Sequence, residues 1–179
     1  DSFLDMDIPL LKNMKNSEKE TFKKMYDSKL NSFYTTSMGR IFDAVAALAQ
    51  DVYFSTYEGE CGMRLEALVD EECETLYTYT ISEGVIDISA MFIEILEETN
   101  RALIASKFIN TIASIILDMA KQYNKKVLLS GGVFQNRALC TKTIKLLEKH
   151  QIQYEMHEIV PTNDCAIALG QIAYAHLCV

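Results

Sequence analysis

Residues 100–123 keep a helical rhythm throughout, with Leu103, Ile104, Phe108, Ile112, Ile115, Ile116 and Met119 recurring at spacings of three and four. A helix with so apolar a face must bury it, so it predicts a core element packed across a partner surface. The stretch after it indicates what that surface is. From Lys126 the text runs strand Val127–Leu129, turn Ser130-Gly131-Gly132, helix Arg137–Lys149, strand 153–158, loop 161–163 and a last helix 164–177. Strand, glycine turn and helix in that order predict an α/β lobe, with Val127–Leu129 as its central strand and the long helix lying across the sheet.

Upstream, residues 17–30 read as an amphipathic helix with Phe22, Met25, Tyr26 and Leu30 near one face. Met38-Gly39-Arg40 opens a second helix, whose apolar residues Ile41, Phe42, Val45, Leu48 and Ala49 are interrupted by Asp43 and Gln50. A short helix is expected over 62–69. Two strands follow at 75–81 and 85–88, joined by Ser82-Glu83-Gly84, and then a helix over 90–98.

A chain of 179 residues fits one domain, or one lobe of a larger one. Its net charge of −8 disfavours a surface that tracks phosphates, because nucleic-acid affinity rests largely on clustered Lys and Arg. The densest basic stretch, with Lys15, Lys19, Lys23 and Lys24, is broken by Glu18 and Glu20 and reads as a solvated helix face. No nucleic-acid partner is expected. Five cysteines, at 61, 73, 140, 165 and 178, form no CxxC pair and suit neither a disulfide framework nor a zinc ribbon, which favours a cytoplasmic protein. Uninterrupted apolar runs fall short of a bilayer span and no signal segment opens the chain, so no membrane role is expected. Beginning at Asp1 without Met, the sequence reads as a piece of a longer protein: residues 1–36 as a helical lead-in from an upstream lobe, 37–179 as a C-terminal nucleotide-binding lobe.

Three segments carry residues suited to chemistry. In Leu129-Ser130-Gly131-Gly132-Val133-Phe134-Gln135-Asn136-Arg137, the glycines allow close backbone approach, and a following helix start offers free N–H groups to an anion. A phosphate or nucleotide fits there, as does a plain tight connection, and Asn136 is as ready to cap the helix as to touch a base. In Pro161-Thr162-Asn163-Asp164-Cys165, Asp164 stands where α/β sheets place ligands, yet either Asn163 or Asp164 would also serve as an N-cap. The third, Ser37 through Leu48 with Tyr57-Glu58-Gly59-Glu60, sets Asp43 in an apolar helical face. Ribose hydroxyls would satisfy that carboxylate, and so would Arg40 one turn earlier. The three histidines, 150, 157 and 176, have no metal-ligand spacing, and no Ser/His/Asp order or activated Cys stands out.

Taken in order, Ser37-Met38-Gly39-Arg40-Ile41-Phe42-Asp43-Ala44-Val45-Ala46-Ala47-Leu48, Tyr57-Glu58-Gly59-Glu60, Leu65-Glu66, Ser130-Gly131-Gly132-Val133-Phe134-Gln135-Asn136 and Asn163-Asp164 with Ile167-Ala168-Leu169-Gly170-Gln171 resemble the C-terminal region of the HypF carbamoyltransferases of [NiFe]-hydrogenase maturation. The resemblance covers roughly residues 30–178. It implies a ribonuclease-H-like lobe of the actin-like ATPase superfamily, similar to the TsaD enzymes. For the full enzyme it implies carbamoyl phosphate and ATP as substrates, a carbamoyl adenylate, and transfer to a C-terminal cysteine of a HypE-like acceptor protein. Within this chain it assigns Gly131 and Gly132 to the nucleotide phosphates, Asp43, Gly59 and Glu66 to the ribose, Asn136 to the nucleotide, and Asp164 to a divalent metal whose other ligands lie outside the chain. The catalytic residues are not assigned. Three positions depart from that family's habit: Cys165-Ala166 where small residues are usual, Ile109 where His is frequent, and Arg64 where a small or acidic residue is frequent. A non-catalytic nucleotide-binding or interaction module, and a carbamoyltransferase with another acceptor, are the competing readings.

Overall fold

The computed structural model describes residues 3–178. After a 3-10 turn at Phe3–Asp5, its elements are α1 (Pro9–Lys12), α2 (Asn16–Ser28), α3 (Met38–Gln50), α4 (Glu60–Glu66), β1 (Thr80–Ser82), β2 (Val85–Asp87), α5 (Ser89–Glu97), α6 (Arg101–Tyr123), β3 (Val127–Leu129), α7 (Arg137–Lys149), β4 (Tyr154–Met156) and α8 (Ile167–Cys178).

α6 is the spine. Asn100 caps it, its Oδ1 accepting from the N–H groups of Ala102 at 3.0 Å and Leu103 at 3.2 Å, and Asn124 closes it in the left-handed conformation. Ile104, Ala105, Phe108, Ile109, Ile112, Ala113 and Ile115 are buried against Phe42, Val45, Ala46 and Ala49 of α3, Cys61 and Leu65 of α4, Met91 and Ile95 of α5, and Leu139 of α7. Phe42 and Phe108 meet edge to face, with centroids 4.8 Å apart. By length and composition α6 is apolar enough to cross a membrane, because averaging along a helix tolerates the polar residues that interrupt its apolar runs. Most of that stretch is buried inside the protein, as in a core helix. Polar residues on this helix serve the fold: Ser106, Asn110 and Thr111 are buried and hydrogen-bond the backbone at Asp70, Cys73 and Tyr77.

A second, smaller cluster of Leu117, Ala120, Leu129 and Leu147 seals the end of α6 against β3 and α7. β3 and β4 pair in parallel, Val127 opposite Tyr154, Leu128 opposite Glu155 and Leu129 opposite Met156. Alternation puts Leu129 in the core and leaves Leu128 70% exposed. Among the described residues, then, Val127–Leu129 is one of two strands in its sheet and is not central.

The expected strand at 75–81 shrinks to Thr80–Ser82, which pairs antiparallel with Val85–Asp87 across a two-residue turn, Glu83-Gly84, with both φ positive. Residues 75–79 alternate as expected, but helices satisfy their backbone. Tyr77 N–H donates to Thr111 Oγ1 at 2.8 Å, Thr78 N–H to Glu94 Oε1 at 3.0 Å, and Asn110 Nδ2 reaches the Thr75 carbonyl at 3.1 Å. α2 forms with none of its residues buried, and Phe22, Tyr26 and Leu30 are exposed. α8 likewise forms in the open, with Ile167, Leu169, Ile172, Tyr174 and Leu177 exposed.

Candidate functional site

Four separated segments meet in one open cleft of about 950 Å³. One wall is the start of α3, with Ser37, Met38, Gly39, Arg40 and Asp43, and beside it runs α4 with its approach, Glu58, Gly59, Met63 and Glu66. Facing them are the turn after β3, with Gly131, Gly132, Gln135, Asn136 and Arg137, and the loop before α8, with Asn163, Asp164 and Cys165. Every site residue expected from the sequence, Asp43, Gly59, Glu66, Gly131, Gly132, Asn136 and Asp164, lines this cleft.

Local geometry explains each placement. Gly59 stands before α4 at φ +81°, a conformation that L side chains rarely adopt, and so aims the first turn of α4 into the cleft. Gly131 sits at φ +100° with open space where a Cβ would be. Gly132 opens a 3-10 turn, Gly132–Gln135, instead of running straight into α7, and a Cβ there would meet Asn163 Cβ at 3.9 Å. The Gly131 N–H is bonded to the Thr162 carbonyl at 2.8 Å, holding the two loops together.

Two ambiguities of the sequence resolve as side-chain caps. Asn136 Oδ1 accepts from the Leu139 N–H at 2.9 Å and its Nδ2 donates to the Gly62 carbonyl at 3.0 Å, so this 7%-exposed amide caps α7 and fastens it to α4. Asn163 is the cap before α8, accepting from the Cys165 N–H at 3.2 Å, which leaves the exposed Asp164 carboxylate uncommitted to capping. Asp43 pairs with Arg40 at 3.3 Å, one turn apart and both partly in solvent.

The departures noted in the sequence also find places. Ile109 is fully buried in the main core, away from the cleft, and Cys165 lies on the cleft wall. Arg64 folds back on its own helix: its Nη2 lies 2.7 Å and its Nε 2.9 Å from Glu60 Oε1. Glu60 is 3% exposed, and its other oxygen accepts from the Thr56 N–H at 2.6 Å and the Thr56 hydroxyl at 2.9 Å. The Thr56 backbone bond, then Arg64 and the Thr56 hydroxyl, hold this carboxyl below the usual carboxylate range.

Arg40, read from the sequence as a partner for Asp43, completes the charge pattern with Glu58 and Arg137, which were not singled out. Four carboxylates, Asp43, Glu58, Glu66 and Asp164, share the lining with two guanidinium groups, Arg40 and Arg137. Arg40 is engaged by Asp43, whereas Arg137, at the first position of α7, has no ion-pair partner among the described residues. Its signal was available as the basic residue ending the Gly-Gly segment. Among the described residues no group of three or more His, Cys, Asp or Glu is arranged to hold a metal.

A family profile described as "Carbamoyltransferase, Kae1-like Domain, second subdomain" matches residues 3–171. The chain is 31% identical over 158 residues to carbamoyltransferase HypF of Rhizobium leguminosarum bv. viciae, covering 84% of this chain and 21% of that protein. It is 36% identical over 148 residues to HypF of a Synechocystis strain, covering 77% of this chain and 19% of that one. Against a crystal structure of full-length HypF in a phosphate- and nucleotide-bound form the TM-score is 0.87 at 35% identity, over 93% of this chain and 28% of the other. The chain therefore spans about a fifth of the length of these curated relatives.

Proposed function

This chain belongs to the HypF carbamoyltransferase family, and on that premise we propose that its cleft is the nucleotide-facing half of a carbamoyl-transfer site. The observation that carries this reading is the convergence of Asp43, Gly59, Glu66, Gly131, Gly132, Asn136 and Asp164, from four stretches of sequence, on one opening. A relative of the same fold has been crystallised with phosphate and nucleotide bound, which supports that choice of ligand.

In this reading the Gly131-Gly132 turn takes the nucleotide phosphates: no side chain stands at either position, and the Gly132 N–H suits an anion while the Gly131 N–H holds the turn to the Thr162 carbonyl. Arg137, beside them and without an ion-pair partner among the described residues, supplies the positive charge that a triphosphate requires in a cleft otherwise rich in carboxylates. Asp43, Glu66 and the backbone at Gly59 bind ribose hydroxyls. Asn136, with both ends of its amide committed, acts by holding α7 against α4 rather than by touching the base. Asp164 contributes one ligand to a divalent ion, whose remaining ligands lie outside this chain.

The reaction served would be that of the family: carbamoyl phosphate supplies carbamate, ATP activates it as carbamoyl adenylate with loss of pyrophosphate, and the thiol of a C-terminal cysteine on a HypE-like acceptor takes the carbamoyl group. The cytoplasm, where thiols stay reduced, is the matching compartment. Titration of the full-length protein with ATP tests the core of the reading. Arg137→Ala should raise the Kd about tenfold or more, the loss of one charge-assisted contact, and an unchanged Kd would overturn it.

A further inference from the structure

The pairing of β3 and β4 continues beyond their last rung. Leu129 lies opposite Met156, so the next residues in register are Ser130 and His157, and their side chains meet with Ser130 Oγ 2.9 Å from His157 Nε2. Each begins one of the two loops that line this side of the cleft: Gly131 and Gly132 follow Ser130, while Asn163 and Asp164 come six and seven residues after His157. One further bond joins the same loops, from the Gly131 N–H to the Thr162 carbonyl. We infer that Ser130 and His157 form a positioning latch, which fixes the register of the Gly131-Gly132 turn against the Asn163-Asp164 loop and so preorganises the cleft for the phosphates of a nucleotide.

The physical grounds are these. Both side chains are exposed and neither lines the cleft, so they do not touch a ligand there and they add little to the core. Among the described residues neither loop has a strand partner beyond the last rung, and Gly131 carries no side chain of its own to anchor the turn. With only the Gly131–Thr162 bond, the two loops could pivot about a single point. A second bond beside it removes that rotation, so the phosphate-facing N–H groups and the Asp164 carboxylate keep one relative geometry. Preorganisation of this kind is read in affinity, because the ligand no longer has to order the loops as it binds.

The inference rests on the nucleotide reading of the cleft, and the experiment separates the two. ATP affinity is measured on the full-length protein and on Ser130→Ala, His157→Ala, the double variant, and the conservative Ser130→Thr and His157→Gln. The latch predicts that each alanine variant binds ATP about fivefold more weakly, as for the loss of one net hydrogen bond. It predicts that the double variant is no worse than either single one, that Thr and Gln restore affinity, and that urea midpoints stay unchanged. The 15N resonances of the His157 imidazole, assigned by their loss in His157→Gln, should also shift on ATP saturation. No ATP binding by the wild type would overturn the nucleotide reading itself. Wild-type binding matched by both alanine variants, or losses that add in the double variant, would overturn the latch alone.

Discussion

Gly131 and Gly132 adjoin each other in the sequence and answer to different physics. At Gly131 the backbone itself demands glycine: φ is +100°, and although a Cβ there would meet nothing within 4 Å, an L residue is strained in that conformation. At Gly132 the backbone is ordinary and a Cβ would only touch Asn163 Cβ at 3.9 Å, so the fold tolerates a side chain. Gly131→Ala should therefore lower stability by about 1 kcal/mol or more, while Gly132→Ala should leave the urea midpoint unchanged. Gly132→Val should likewise fold, yet abolish nucleotide binding by covering the exposed peptide units. Equal urea midpoints for Gly131→Ala and Gly132→Ala would refute this division of labour. Asn136 shows the limit of residue-level reading in another way: one amide could equally cap a helix or touch a base, and only the 2.9 Å bond to the Leu139 N–H decides for the cap.

At the scale of elements, helices with a buried stripe were legible and short strands were not. The periodicity of α3 and α6 survives because packing of Phe42 and Val45 against Phe108 and Ile112 rewards it. The alternation of residues 75–79 was legible too, but a strand needs another strand, and here the bonds to Thr111 and Glu94 take its place. That substitution depends on contacts more than fifteen residues away in sequence, where local pattern carries no signal. The stripe of Phe22 and Tyr26 on α2, with Leu30 just after it, shows the converse, a pattern that states a face without stating its partner. The loop leading into α4 offers a test at this scale. Thr56 and Arg64 bind Glu60 and hold its carboxyl below the usual range, so the tie is complete above the ordinary glutamate value of 4.5 and is lost as pH falls through the lowered one. On acidification below pH 4.5, the Thr56 amide should lose protection from hydrogen exchange as this carboxyl protonates. In Glu60→Gln, which cannot pair with Arg64, that protection should be weak at every pH. A Thr56 amide equally protected in both proteins would show that Glu60 does not hold the loop.

The whole molecule leaves its most apolar late element uncovered. α8 exposes Ile167, Leu169, Ile172, Tyr174 and Leu177, and the outer face of β3 exposes Leu128, while the cleft stands open along the side where α3 and α8 begin. So open a cleft binds weakly, because a ligand in it keeps much of its hydration. For the chain alone this argues for a nucleotide Kd near the millimolar range, about 4 kcal/mol of binding free energy. The same geometry bears on catalysis. Asp164 is one carboxylate, no cluster among the described residues completes a metal site around it, and activation of carbamate by ATP requires both reactants to be held in line. The isolated chain should accordingly show no carbamoyl-phosphate-dependent exchange of pyrophosphate into ATP, whereas the full-length protein should show it under identical conditions. Exchange by the isolated chain at the full-length rate would mean that this lobe carries the catalytic groups by itself, and that its cleft is a complete site rather than half of one.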